Sequence, residues 1–172
     1  MRPFLRPLSL SLAVFLLTSC AGYRLEGRRP GPLKSIETLA LPLAENRTLF
    51  PRAEALTTNT VADVLLQDGT YRLSPLEGAD ATLQLVLSEI QYDQARSSRF
   101  DTIRSEELSM TVTLQWHITD PMKPGSPLFS GSSSGSTRFF AGGNLQTARS
   151  GALPDALKRA AEKLVARISN GL

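Results

Sequence analysis

The stretch Leu108-Ser-Met-Thr-Val-Thr-Leu-Gln-Trp-His-Ile118 decides the fold, because every second residue in it is apolar. Successive side chains of a β-strand point to opposite faces, so this alternation predicts a strand with one buried and one polar face. The apolar set is Leu108, Met110, Val112, Leu114, Trp116 and Ile118. A sheet with one apolar face needs a second layer of structure to cover it.

Two more strands are predicted to flank this one. From Thr82 to Tyr92, the residues Leu83, Leu85 and Leu87 fall on one face. The stretch from Pro127 to Phe139 is ambiguous, because Gly131-Ser-Ser-Ser-Gly-Ser136 has the composition of a flexible linker. We favour a strand with small outward residues at an edge of the sheet, and a loop is the alternative.

Upstream, the chain predicts shorter strands joined by a helix. Ile36 to Leu43 alternates apolar with small or polar residues and predicts a strand, and Asn46 to Pro51 is a turn-rich connection. Arg52 to Gln67 repeats apolar or small residues at helical spacing. Asp68-Gly69 ends this helix, since glycine accepts the left-handed conformation of a C-terminal cap. A short strand is predicted at Tyr71 to Leu73.

The end of the chain predicts a second amphipathic helix, with Asn144 to Thr147 capping its start and Asn170-Gly171 ending it. Two helices with one apolar stripe each can cover the apolar face of a sheet of about four strands. The predicted fold class is therefore α+β, a two-layer sandwich of a mixed sheet with both helices on one face. The first strand is expected to pair parallel to a neighbour, and the later strands antiparallel.

The first twenty residues have the layout of an export signal. Arg2 and Arg6 give a positive start, and the apolar run from Leu8 to Leu17 is about ten residues long, too short for a membrane-crossing helix of ~20 residues. The run ends at Leu17-Thr-Ser-Cys20, which resembles the bacterial lipobox. We expect cleavage before Cys20 and attachment of a diacylglycerol and an N-acyl chain to it, enough for stable anchoring. An ordinary signal peptide with an incidental cysteine is the alternative.

Cys20 is also the only cysteine, so no intramolecular disulfide can form. Ala21 follows it, whereas an aspartate there tends to retain lipoproteins in the inner membrane. We therefore expect a lipid-anchored outer-membrane protein whose domain lies on the periplasmic side. The expected organisation is a signal peptide over residues 1–19, a lipidated N-terminus and tether over residues 20–34, and one α+β domain over residues 35–172.

Charge and composition argue against nucleic-acid binding and against catalysis. Loss of Arg2 and Arg6 reduces Lys+Arg from 19 to 17 against 16 acidic residues, so the mature chain is nearly neutral. His117 is the only histidine, and with the thiol lipidated no zinc site of nitrogen and sulfur ligands can form. Gly131-Ser-Ser-Ser-Gly135 has the spacing Gly-x-Ser-x-Gly, but we favour a strand there and not the strand-to-helix turn that a nucleophile elbow needs. No phosphate-binding loop is present. We therefore expect no catalytic residue, no metal and no cofactor other than the covalent lipid.

An arginine-rich connection between two predicted strands is the best candidate for a binding site. Guanidinium groups pair bidentately with phosphates, and neighbouring phenylalanines can contact acyl chains or a protein wall. A solvated loop with one exposed phenylalanine is the alternative. The candidate residues are Arg96, Arg99, Arg104 and Arg138 for an anionic ligand, and Phe100, Phe139 and Phe140 for a partner.

Several short motifs stand in a particular order along the mature chain. Gly22-Tyr-Arg-Leu25 follows the lipidated cysteine, and Ile36-Glu-Thr-Leu-Ala-Leu-Pro42 runs into Glu45-Asn-Arg-Thr48 before a helix. Ala79-Asp-Ala-Thr-Leu83 then opens a strand, and an alanine-rich helix closes the chain. This order, together with the lipobox, resembles the LptE family of outer-membrane lipoproteins of lipopolysaccharide assembly, over nearly the whole mature chain.

The resemblance implies two helices on a four-stranded sheet, in agreement with the fold predicted from the residues. It also implies a partner, the LptD outer-membrane β-barrel, in which the lipoprotein sits as a plug and folding partner. It further implies a role in lipopolysaccharide transport with direct binding of lipopolysaccharide, whose lipid A phosphates would be ligands for the four arginines. No family motif fixes those four positions. Replacing Arg99 and Arg104 with glutamate is then expected to weaken glycolipid binding without unfolding the domain.

Two other interpretations are left open by the residues. One is an outer-membrane lipoprotein that recruits or activates a periplasmic cell-wall enzyme through the same α+β layout, and the identity of the partner distinguishes it. The other is a lipoprotein enzyme with an unfamiliar site, which any turnover by the purified protein would reveal.

Overall fold

The computed structural model describes residues 29–94, 107–141 and 143–171. The predicted signal peptide and Cys20 lie outside these residues. Within them, no helix combines the length and the apolar character needed to cross a membrane. The elements in chain order are β1 (Thr38–Ala40), β2 (Glu45–Asn46), α1 (Ala53–Asp68), β3 (Arg72–Leu73), β4 (Ala81–Gln94), β5 (Glu107–Asp120), β6 (Lys123–Phe140) and α2 (Leu145–Asn170).

All strands belong to one mixed sheet, which confirms the predicted α+β class. Its order is β3-β1-β4-β5-β6, and β2 pairs separately with β4. The pairings of β1 with β3 and β4 are parallel, whereas β4, β5 and β6 are antiparallel. The expected number of about four strands is wrong, because the described residues alone form a sheet of six. β3 lies within the short strand predicted at Tyr71 to Leu73, whereas β2 is two residues long and too short to show an alternating pattern.

The first predicted strand is interrupted. The segment from Ile36 to Leu43 pairs only over β1, and pairing resumes in β2 after a break that contains Pro42, which has no N–H to donate. Asn46, predicted in the turn-rich connection, lies in β2 and organises the turn after it. Its side-chain amide donates to the Phe50 carbonyl at 2.8 Å and its side-chain oxygen accepts from the Thr48 N–H at 3.0 Å.

The alternation in β5 is confirmed by burial. The side chains of Met110, Val112, Leu114, Trp116 and Ile118 are all buried. They form one core with the leucines of β4 and the apolar stripes of both helices. The helices therefore cover one face of the sheet, and the polar residues of β5 lie on the other.

The Gly/Ser-rich segment is part of β6, the edge strand that we favoured. A Cβ atom at Gly135 would overlap the backbone of α2 at Ala156 and Ala160, and a Cβ at Gly131 would overlap the Trp116 ring. The Trp116 indole N–H donates to the Ser133 hydroxyl at 3.1 Å. These small residues thus let the helix and the indole approach the strand closely.

The predicted helix ends are confirmed. Gly69 and Gly171 follow the two helices with φ of 72°, the left-handed conformation that glycine adopts without strain. The Asn144 side chain accepts a hydrogen bond from the Thr147 N–H at 3.1 Å and so caps the start of α2.

The residues just before β1 pack against the domain. Leu33, within the predicted tether, is fully buried. The Arg29 guanidinium donates to the carbonyl oxygens of Ile36 and Thr70 at 2.7 and 3.0 Å and lies over the Tyr71 ring. From Arg29 onward this segment is therefore part of the folded structure.

Candidate functional site

One end of the sheet gathers the predicted site residues that the structure describes. There β4 leads toward residue 95 and β5 starts at residue 107, and Ser109 of β5 pairs with Arg138 of β6. The β4–β5 connection that carries Arg96, Arg99, Phe100 and Arg104 lies outside the described residues.

The end of β6 exposes alternate side chains. Arg138 is 72% exposed, and its guanidinium is 3.8 Å from the Glu107 carboxylate, too long for a strong pair. Phe140 is 65% exposed, whereas Phe139 is 9% exposed and belongs to the core. Phe139 therefore does not offer the partner contact that we expected, because strand alternation turns it toward the helices. Arg138 and Phe140 are accessible.

A bulge in β4 changes which side chains face the helices. The register against β5 shifts between Leu87 and Glu89, and the Ser88 hydroxyl donates to the Thr113 carbonyl at 3.0 Å. Before the bulge the odd-numbered leucines face the core. After it, Ile90 and Tyr92 pack against the core instead. A one-residue insertion moves the following side chains to the opposite face, and here it directs two apolar side chains toward α2.

These side chains form the floor of a cleft of about 480 Å³. The cleft lies between the turn after β2, the end of β4 and the first turns of α2. We call it the arginine cleft, and its lining residues are Arg47, Thr48, Leu49, Phe50, Ser88, Glu89, Ile90, Tyr92, Gln146 and Arg149.

Arg149 is the central cation of the arginine cleft. Its guanidinium carbon lies 4.2 Å from the centre of the Tyr92 ring, a cation–π contact. Burial raises the pKa of the Tyr92 hydroxyl, while the charge of Arg149 opposes that rise. The Nε atom of Arg149 is buried and has no hydrogen-bond partner among the described residues. A buried N–H without a partner is costly, and the guanidinium to which it belongs carries the charge that an anionic oxygen in the cleft would meet.

Arg47 at the rim of the cleft is already paired. Its Nε and Nη2 atoms donate to the Glu45 carboxylate at 2.8 and 3.3 Å. This hydrogen bonding lowers the pKa of Glu45 and raises that of Arg47. Leu49 beside it is fully exposed. The rim therefore contributes a neutralised ion pair and an apolar side chain, and the available positive charge is that of Arg149.

No group of three or more histidine, cysteine or carboxylate side chains suited to a metal ion occurs in the described parts of the chain. His117 lies on the open face of the sheet, where its Nε2 atom is 2.6 Å from the Gln84 side-chain oxygen. The arginine cleft instead joins one guanidinium to aromatic and aliphatic surface, which suits an amphipathic anion.

The sequence contained only part of the signal for the arginine cleft. Arg149 follows the predicted cap in Gln146-Thr-Ala-Arg149, so its place in the first turns of α2 was foreseeable. Its contact with Tyr92 depends on the bulge at Ser88, which strict alternation does not reveal. Without the bulge, Tyr92 would be assigned to the polar face together with Gln84 and Ser88.

Solved structures share this fold. A minor lipoprotein from Acinetobacter baumannii is 12% identical, with a TM-score of 0.52 over 78% of this chain and 93% of its own. A hypothetical protein from Chlamydia trachomatis is 12% identical, with a TM-score of 0.54 over 78% and 96%. A homologue of a neuraminyllactose-binding haemagglutinin from Helicobacter pylori is 12% identical, with a TM-score of 0.54 over 87% and 90%. At these identities the similarity establishes the fold alone.

Sequence comparison is more specific. No curated protein matches the chain. The family model LptE, described as lipopolysaccharide-assembly, matches residues 36–168, which run from the residue two before β1 to the last turn of α2. Because this match covers most of the chain, the protein belongs to the LptE family.

Proposed function

We propose that this protein is an outer-membrane lipoprotein, anchored through acyl chains on Cys20, that acts in lipopolysaccharide transport and assembly. In this role it is the plug and folding partner of an LptD-type β-barrel, binds lipopolysaccharide directly and catalyses no reaction. Membership of the LptE family supports the assembly role. The signal sequence and lipobox support the location.

The observation that carries direct binding is the environment of Arg149. Its charge lies beside Tyr92, and its Nε has no hydrogen-bond partner among the described residues. Lipid A presents phosphates close to acyl chains, so one molecule supplies both an anion for the guanidinium and an apolar part for Ile90 and Leu49. The weakly paired Arg138 and the exposed Phe140 present a second combination of charge and aromatic surface at the same end of the sheet, on its open face and not in the cleft.

The open face of the sheet supports the barrel partner. The side chains of Thr111 and Gln115 point away from the helices, and the Thr111 hydroxyl is within 2.9 Å of that of Ser136. Such a polar face is compatible with the polar interior of an outer-membrane barrel. An LptD-type barrel that co-purifies in near-equal amount from gently solubilised outer membranes is the expected result, and a cell-wall enzyme in its place would contradict the proposal.

Arg149→Glu tests the binding site. The variant loses a charge-assisted hydrogen bond of about 1.5–3 kcal/mol, so the Kd of the full-length protein for purified lipopolysaccharide is expected to rise roughly tenfold or more. Lys158→Glu makes the same charge change on an exposed face of α2, away from the cleft, and is the matched control. Its affinity is expected to stay within about twofold of the wild type.

Dephosphorylated lipopolysaccharide distinguishes the contribution of the phosphates to binding from that of the acyl chains. If the phosphate meets Arg149, the wild type and Arg149→Glu bind the dephosphorylated form with equal affinity. Thermal unfolding of both variants checks that the domain is intact. Equal binding of intact lipopolysaccharide by the wild type and Arg149→Glu would remove the arginine cleft from the site.

A further inference from the structure

Strand β6 is an unusually unprotected sheet edge. Among the described residues it pairs on one side only, with β5. From Phe129 to Thr137 it contains no charge and no proline, and its register against β5 is regular. Natural edge strands generally carry lysine, proline or bulges that prevent pairing with another chain. The absence of these features from the middle of β6 suggests that a partner strand covers it.

The outward backbone of β6 pairs with no strand among the described residues, and an added strand would replace the one side-chain hydrogen bond that it accepts from Lys163. The Ser134 carbonyl oxygen accepts a hydrogen bond from the Lys163 side chain at 2.8 Å, and not from a neighbouring strand. In an antiparallel pair every second residue turns both its N–H and its C=O away from the partner. Ser132, Ser134 and Ser136 therefore form one outward-facing row of donors and acceptors.

Helix α2 turns this edge into a groove. Ser136 of β6 and four residues of α2 line a shallow, open groove of about 450 Å³. The helix residues, at one-turn spacings, are Arg159, Glu162, Lys163 and Ala166. A sheet edge beside a helix is a recurrent site for adding an extended peptide as one more strand.

We propose that this groove, the β6 groove, binds an extended, acidic segment of a partner protein as an additional antiparallel strand. The charges on α2 determine the preference. At one-turn spacings along the groove, its exposed side carries Arg159, Lys163 and Arg167 against Asp155 and Glu162. Asp155 is already hydrogen-bonded to Thr137 and Arg159. The binding of lipopolysaccharide at the arginine cleft does not depend on this proposal.

A second copy of the chain fits the β6 groove poorly. A twofold axis between two β6 strands would place the cationic sides of the two α2 helices near each other. Like charges that face each other across paired elements are destabilising. An acidic strand removes this repulsion, so a different protein is the better occupant.

A defined peptide tests the proposal on the full-length protein in detergent. The probe alternates valine and glutamate over about ten residues, the length of an ordinary strand. We expect saturable binding, with slowed amide hydrogen exchange at Ser132, Ser134 and Ser136. A peptide with lysine in place of glutamate is expected to bind roughly tenfold more weakly or not at all.

Two variants separate backbone pairing from charge. Ser134→Pro removes an outward N–H but spares the bonds to β5, so it is expected to abolish binding. Arg159→Glu combined with Lys163→Glu is expected to weaken binding roughly tenfold, whereas Lys158→Glu, outside the groove, changes it less than about twofold. All variants are expected to keep wild-type affinity for lipopolysaccharide, which keeps this test distinct from that of the arginine cleft.

Several results would overturn the proposal. These are no saturable binding of the acidic peptide, protection of amides outside β6, or equal binding by the wild type and the double charge variant. Sedimentation that shows a dimer lost in Ser134→Pro would assign the β6 groove to a second copy instead.

Discussion

The two edges of the sheet are built in different ways. At one edge, β6 runs from Lys123 to Phe140 and is held by a continuous antiparallel ladder to β5. At the other, β3 consists of Arg72 and Leu73 and meets β1 through two paired residues. A two-residue strand cannot hold itself in place by its ladder alone.

Side-chain hydrogen bonds hold the short edge in place, where the backbone ladder is only two residues long. Tyr71, next to β3, donates from its buried hydroxyl to the Ile168 carbonyl near the end of α2 at 2.8 Å. The Asp80 carboxylate accepts from the backbone N–H groups of Glu37 and Thr38, both at 2.9 Å. The Arg29 guanidinium donates to one carbonyl just before β1 and to one just before β3. The short edge thus depends on a few polar anchors, and the long edge on the close approach of backbones.

The largest effect is expected from Gly135→Ala, at the long edge. The added methyl group would overlap the Ala156 carbonyl and the Ala160 nitrogen, which belong to the backbone of α2 and cannot rotate away. Overpacking of this kind costs about 3 kcal/mol or more when the obstacle is rigid. Urea unfolding of the full-length protein measures the loss.

Gly125→Ala is the matched control in the same strand, because nothing lies within 4 Å of a Cβ atom at that position. Its free energy of unfolding is expected to stay within about 0.5 kcal/mol of the wild type. A comparable stability of Gly135→Ala and Gly125→Ala would show that α2 does not rest on β6 as closely as the structure indicates.

How well each edge could be predicted follows from how it is built. The long strands could be predicted from local signals: alternating leucines in β4, and the alternation of apolar residues from Met110 to Ile118 in β5. The Gly131–Ser136 stretch was ambiguous because glycine and serine suit both a linker and a strand against which a helix packs closely. Glycine is required at position 135 because the backbone of α2 packs against it. That part of α2 lies about twenty residues later, so no local pattern indicates the requirement.

The anchors of the short edge were not foreseeable for a similar reason. Tyr71 and Ile168 are far apart in sequence, and nothing near either residue indicates their hydrogen bond. The same holds for the candidate site, where Arg149 meets Tyr92 only because of the bulge at Ser88. The sequence could predict helices, long strands and positive charges, but not which side chains meet across the fold.

An intermediate effect is expected from Tyr71→Phe, at the short edge. Loss of the hydroxyl leaves the Ile168 carbonyl without this partner and is expected to cost about 1 kcal/mol. Burial raises the pKa of Tyr71 to about 12. The neutral form therefore stabilises the fold fully below pH ~10, the value in unfolded chains, and this contribution is lost as the pH rises toward 12.

Tyr71→Phe is thus expected to lower the free energy of unfolding below pH 10. It is also expected to remove part of the decline in that free energy between pH 10 and pH 12. Tyr92→Phe is the control for stability below pH 10, where both tyrosines are neutral, because the Tyr92 hydroxyl makes no hydrogen bond with the described residues and the ring contact to Arg149 is kept. An equal loss of stability in both variants would argue against the Ile168 hydrogen bond as an anchor.

The smallest effect is expected from Asp80→Asn, and it is visible mainly in acid. Hydrogen bonds from the backbone of Glu37 and Thr38 lower the pKa of Asp80 below its ordinary 3.8. A lowered pKa means that the carboxylate stabilises the fold above pH 3.8, and that this contribution fades as the pH falls through the folded-state pKa. Asparagine keeps an acceptor oxygen but not the charge. The variant is therefore expected to lose little stability at pH 7, and its free energy of unfolding is expected to depend less on pH below pH 4.

Asp63→Asn, at an exposed position of α1, removes the same charge without these hydrogen bonds and provides the comparison. If both variants show the same acid profile, Asp80 is a surface carboxylate and the short edge relies on Tyr71 and Arg29.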